Sequence, residues 1–202
     1  MFLELKILLI DFTNIKYIIL FLIIYSFVGW LLESTYISLY QKKLINSGFL
    51  YGPFCPIYGF GSLILIYIFK YLQYNIFLIF ITSILIMSLW EYFIGWLMEL
   101  IFQMKWWDYS NRFFNIKGRI CLLNSFFWGI LSLLLIKGLH PFIEKLITFN
   151  LTLMIITFFL FLYLIIDIIF SIIKHINLET VIIKQYKSLF DYLLNNIPHK
   201  KN

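Results

Sequence analysis

Two stretches, Phe27-Val28-Gly29-Trp30-Leu31-Leu32-Glu33 and Phe93-Ile94-Gly95-Trp96-Leu97-Met98-Glu99, stand 66 residues apart and match at five of seven positions. The same shift, without a gap, lays Gly52 on Gly118, Cys55 on Cys121 and Phe60 on Phe126, so 8 of the 34 positions from 27 to 60 are identical. Shared Ile or Leu would mean little in so apolar a chain. Matching Trp, Glu, two Gly and both of the chain's cysteines is much harder to obtain by accident. Self-similarity at a fixed period points to duplication. Each unit reads as a helix, a loop and a second helix. Two crossings return the chain to its starting side, so the units are expected as a parallel repeat about an axis along the membrane normal.

The composition supplies the membrane. Of 202 residues, 62% are hydrophobic and only 13% charged, with a mean hydropathy of +0.92. Soluble domains are usually ~45–50% apolar and ~25% charged. Five apolar segments, near residues 17–40, 57–69, 76–102, 119–136 and 151–173, reach or approach the ~20 helical residues that cross a bilayer core. The expected fold is therefore all-α: a polytopic integral membrane protein of five transmembrane helices, two helix-loop-helix units plus one extra helix. A transmembrane domain over residues 1–174 would hold units at about 17–70 and 76–137 and the extra helix at 151–173. Residues 175–202 read as a cytoplasmic tail, in which Leu178, Ile182, Leu189 and Leu193 fall at helical spacing against Lys184 and Lys187, an amphipathic pattern suited to a membrane surface.

The net charge is +6, but the basic residues lie in short loops and the tail, where they set orientation rather than bind nucleic acid. With the N-terminus outside, 11 Lys and Arg fall inside and 5 outside. The chain is expected in the cell membrane with its C-terminus inside and the lipid bilayer as its first partner. Residues 1–14 carry Glu4 and Asp11 and lack a small-residue cleavage site, so a cleavable signal peptide is not expected. No Walker-type phosphate loop occurs, so ATP binding of that kind would have to come from another protein.

The chain contains no alanine and only two valines, Val28 and Val181. Its small residues are consequently scarce and mark where helices touch. Cys121, Ser125, Gly129 and Ser132 form one stripe, and Cys55, Gly59 and Ser62 its counterpart. Both cysteines read as packing residues. The dense Gly52-Pro53-Phe54-Cys55-Pro56 segment breaks a helix and suggests a structured or re-entrant loop.

Ionisable groups within the apolar segments are the candidate polar site: Glu33, Glu91, Glu99 and Asp167. A charge at mid-bilayer costs about 2.5–3.5 kcal/mol on insertion scales, so each needs a reason. Gly29 precedes Glu33 by one turn and Gly95 precedes Glu99 likewise, which turns both acids toward a close neighbour. The duplication would bring Glu33 and Glu99 face to face, to hold a cation, a proton or a cationic group. Equally, they could pair structurally with Lys42, Lys117 or Arg119. The histidines, His140 among them, are expected in loops or tail. No catalytic triad, metal-site signature or cofactor is expected.

The runs from Tyr25 to Glu33 and from Asn46 to Gly61, with Trp106-Trp107-Asp108-Tyr109-Ser110 and the segment from Phe114 to Leu122, resemble the CmpB-type membrane proteins. These are type IV ABC-transporter permeases grouped with the eukaryotic transmembrane protein 229 proteins. Ser47 stands where the resemblance leads us to expect arginine. The resemblance, over roughly residues 17–137, implies a transport-related membrane subunit served by a separate ATPase. It carries no catalytic residues with it. The alternative expectation is a membrane scaffold or accessory protein that binds a partner and moves no substrate, and a homodimer is a further expected assembly.

Overall fold

The computed structural model describes residues 14–70, 75–148 and 150–176. Among them the chain is all-helical: α1 (Ile15–Gln41), α2 (Pro56–Lys70), α3 (Ile76–Phe102), α4 (Leu122–Leu134), a π turn (Leu135–Leu139), α5 (His140–Leu146) and α6 (Leu151–His175). No strand occurs among the described residues; a single antiparallel bridge joins Ile116 and Ile120 in the second loop. The expected amphipathic tail helix lies outside the described residues.

Among the described residues four helical rods are long and apolar enough to cross a membrane: α1, α3, the continuous run Leu122–Leu146 and α6. This makes the chain a multi-pass membrane protein. α2 is the exception. Its 15 residues rise about 22 Å, short of a ~30 Å core. The missing length is taken up by the first loop, which folds back so that Ser47, Leu50, Phe54 and Cys55 are buried before α2 begins.

The run Leu122–Leu146, the fourth rod when the short α2 is counted, differs from the sequence expectation at both ends. It starts at Leu122 rather than Arg119, because residues 116–120 close on themselves through the backbone bonds Ile116 N–H to Ile120 O and Arg119 N–H to Ile116 O. It then runs on through Pro141 to Leu146. Proline in a helix lacks an N–H and crowds the carbonyl four residues earlier. The wider π turn just before it accommodates that defect. His140, expected in a loop, consequently lies within the rod, its Nδ1 2.7 Å from the Tyr25 hydroxyl of α1.

Packing is pairwise. α1 lies against α2 and α3 against α4, while α6 leans on α1. One core cluster joins the pairs through Phe21 and Tyr25 of α1, Leu65, Ile66 and Phe69 of α2, Ile79 and Met87 of α3, and Trp128 of α4. A second, of Ile23, Leu50, Phe54 and Leu164, ties the first loop to α1 and α6. The scarce small residues sit at the closest approaches. A β-carbon on Gly29 would fall inside the Tyr58 side chain, and one on Gly59 would meet Ser26 Oγ and the Leu22 carbonyl. On α4, Gly129 abuts Phe80 and Ile84 of α3.

Gly29→Ala should therefore lower stability by about 1–3 kcal/mol, the usual cost of overpacking. Gly138 has open space at its β-carbon position, and Gly138→Ala should be neutral or stabilising by up to about 1 kcal/mol. Thermal unfolding of the two variants in one detergent compares them directly.

Candidate functional site

The most enclosed acid among the described residues is Glu91, 4% exposed on the face of α3 toward α4. Its carboxylate accepts from Asn124 Nδ2 at 2.6 Å and Tyr109 OH at 3.3 Å through one oxygen, and from Trp128 Nε1 at 2.9 Å through the other. Asn124 and Trp128 are four residues apart, one turn along the same face of α4. Tyr109 arrives from the second loop, where its N–H bonds the Gly118 carbonyl at 2.7 Å. Gly118 permits the turn: its φ is +72°, and a β-carbon there would strike Asp108 Oδ1. Among the described residues Glu91 has no ion-pair partner. Three neutral donors surround it instead, each bond contributing about 0.5–1.5 kcal/mol, or about 1.5–3 kcal/mol when the carboxyl is ionised. The Trp128 ring also packs on Tyr58 of α2, centroids 5.2 Å apart. The cage thus sits where the two helix pairs meet.

Glu33 and Glu99 are each turned to the loop that follows their own helix, not to one another. Ser47 Oγ donates to Glu33 at 2.5 Å, and the Ser47 N–H is held by Ser34 Oγ at 3.0 Å. Glu99 takes both Nε (3.2 Å) and Nη2 (2.7 Å) of Arg119, whose Nη1 donates to Tyr92 OH at 2.9 Å. The expectation that the two acids face each other is corrected accordingly. Away from water a carboxylate takes the nearest donors, and the loop after each helix brings them within reach. Of the three basic candidates, Arg119 alone pairs with an acid among the described residues. Lys42 caps α1 at a φ of 52°. Lys117, at a φ of 54°, offers its carbonyl to Lys105.

Asp167, deep in α6, clamps the first loop. Its two oxygens accept the backbone N–H groups of Tyr51 (3.0 Å) and Gly52 (2.8 Å), with Ser171 Oγ at 3.3 Å. A β-carbon on Gly52 would strike Tyr163 OH and Asp167 Oδ2. Pro53 and Pro56 bracket Phe54 and Cys55, and the Cys55 N–H reaches the Ser26 carbonyl at 2.9 Å. Cys55 and Cys121 are free and buried. Gly95 rests against Trp107 and the Arg119 stem.

Outside the spans, the exposed Asp108 carboxyl is held below its ordinary range by the Ser110 hydroxyl and N–H, then by Lys105.

The sequence reading missed Tyr109, Asn124, Trp128 and Ser47. Asn124 was legible as a polar residue one turn before Trp128 on the small-residue helix. Tyr109 and Ser47 sit in loops, where no period reveals which way a side chain points. Among the described residues no group of three or more His, Cys, Asp and Glu side chains is placed to hold a metal ion.

Two helix pairs around a buried carboxylate cage, with α6 clamping the first loop, define a polytopic α-helical membrane protein with an internal polar site. The chain belongs to the family described as "Putative ABC-transporter type IV", whose model matches residues 19–172. No curated protein and no solved structure matches it.

Cys55 is buried, with its Sγ toward the Glu33 carboxylate, and a buried thiol is shielded from reagents. In a Cys121→Ser background maleimide should therefore label Cys55 only after denaturation.

Proposed function

We propose that this chain is the membrane-spanning subunit of a transport system, with ATP hydrolysis supplied by a separate ATPase protein, and that Glu91 is its internal polar site. The observation that carries this is the Glu91 cage. A carboxylate surrounded by neutral donors keeps its charge un-neutralised, and it lies at the junction of two helix pairs that could part and re-form around it. Such a group can take a proton or the cationic part of a substrate, which a carboxylate already matched to arginine cannot do without breaking that pair. Family membership supports a transport role, and no residue constellation in the sequence supports catalysis by the chain itself.

The same reading includes the parallel repeat. Leu22 of α1 meets Gly59 of α2, and Ser88 of α3 hydrogen-bonds Ser125 of α4 at 2.7 Å. Both members of the second pair are displaced by 66 from those of the first. Cys55 and Cys121, also 66 apart, each stand immediately before the second helix of a unit, each 3% exposed. The count of basic residues supports placing both return loops inside. The second loop presents the docking surface: exposed Phe113 and Phe114, centroids 4.3 Å apart, beside Arg112 and Lys117. An apolar knob with a basic rim suits a cytoplasmic protein partner.

Affinity purification of the full chain from native membranes in mild detergent should recover an ATPase subunit. Changing Phe113 and Phe114 together to Ser should reduce that recovery at least tenfold, with the helical content by circular dichroism unchanged. Repeated recovery of the chain without any ATPase would sink this reading.

A second reading, the scaffold, is favoured by one observation: Glu33, Glu99 and Asp167 are each committed to a loop of their own chain. Glu91→Gln separates the two. It keeps the shape of the cage, so a transport subunit should fold and hold its partner while losing flux, whereas a scaffold should be unaffected.

A further inference from the structure

Where α1, α3 and α6 end, the first loop leaves a cavity of about 240 Å³ lined by Asn46, Phe49, Tyr51, Trp106, Lys174 and His175, with Gly48 and Leu50 completing it. We infer that this cavity is a binding site for the anionic phosphodiester headgroup of a membrane lipid, with Lys174 as its charged contact.

Charge comes first. Among the described residues Lys174 and His175 are the basic side chains lining the cavity, and no carboxylate lines it. Among the described residues Lys174 makes no ion pair; its Nζ lies 4.4 Å from the centroid of the Tyr51 ring. That placement orients the ammonium without neutralising it. The nearest acid on its own helix face, Asp167, lies two turns away with both oxygens taken by the Tyr51 and Gly52 N–H groups. Those bonds fix the loop that positions Tyr51, and through it Lys174. The partial negative charge of the α6 C-terminus is opposed by Lys174 and His175, which sit in its last turn.

The walls are aromatic and packed. Phe49 meets Trp106 at 5.2 Å, Phe102 at 5.2 Å and His175 at 5.4 Å between centroids, and Trp106 meets His175 at 4.9 Å. Trp and Tyr at helix ends mark the depth at which headgroups sit, and basic pockets between helices at that depth favour anionic lipids. Size selects the ligand further. Pockets for drug-sized molecules run to ~300–1,000 Å³, so this one admits a headgroup while the acyl chains stay in the bilayer.

The test uses purified full chain in detergent, with native mass spectrometry counting retained lipid as phosphatidylglycerol or phosphatidylcholine is titrated in. Phosphatidylglycerol should be retained in preference. Lys174→Gln should weaken it about fivefold, the loss of one lysine's share near an anionic surface. Lys174→Arg should restore it, and Lys43→Gln, an exposed lysine beyond the cavity, should leave it unchanged. An equal loss in Lys43→Gln would reduce the effect to surface charge and overturn the proposal. Equal retention of phosphatidylcholine, or displacement of phosphatidylglycerol by tetramethylammonium, would make the site a cation cage and overturn it likewise. Inorganic phosphate stabilising the protein as strongly as the lipid, with the same dependence on Lys174, would assign the cavity to a free anion instead.

Discussion

A carboxylate buried in a bilayer has no water to turn to, and the architecture of this protein follows from how its intramembrane acids are supplied with donors. Asp167 takes two backbone N–H groups of the first loop, and in doing so fixes the segment that compensates for the shortness of α2. Glu99 takes a bidentate arginine from the second loop. Glu91 takes Asn124, Trp128 and Tyr109, drawing α4 and the second loop onto α3. The loops are ordered parts of the membrane domain because they carry the donors the helices lack. A buried polar group left unpaired costs several kcal/mol in such a medium, so loop and helix positions are coupled more tightly than hydrophobic contact alone would require.

The second constraint is space. Helices in lipid gain nothing from excluding apolar surface from one another, since the tails are as apolar as leucine; they associate through close packing. A chain without alanine can approach closely only at Gly, Ser, Thr and Cys. Here those positions carry the α1–α2 contact at Gly29, Ser26 and Gly59 and the α3–α4 contact at Gly129, Ser88 and Ser125. Tyr58, which fills the space left by Gly29, also reaches the Trp128 ring. A packing residue of one pair thereby touches the polar cage of the other.

What the sequence made legible follows from these two constraints. Hydropathy located α1, α2, α3, α4 and α6, because a span is a property of a contiguous run; α3 falls at residues 76–102, where it was expected. Scarcity made the small positions readable. The continuation of the fourth rod was not legible, since Pro141 after Gly138 carries the ordinary signal for a helix end, and a π turn leaves no composition of its own. Nor was the pairing of Glu33. Its donor Ser47 is set by the path of a loop, and a loop's path depends on an acid in α6, some 120 residues later in the chain. Glu99 was readable only to the point that Arg119 stood among its candidate partners.

The proposed repeat sharpens what is particular about Glu91. Shifted back by 66, Glu91 falls on Tyr25, Asn124 on Tyr58 and Trp128 on Ser62. The first unit thus has a phenol where the second has its caged acid, and that phenol points instead to His140 in the fourth rod. If close packing were all that the position required, one residue type could serve both units, as glycine does at positions 29 and 95. An acid at one of the two matching positions alone adds to the contact between α3 and α4 through its donors, but it costs insertion energy that a tyrosine there does not. The divergence at this place, set against identity at the packing positions, fits a demand beyond holding helices together, which is what the polar site proposed for Glu91 would make. It concentrates that demand on the half of the protein whose loop also carries the exposed aromatic pair.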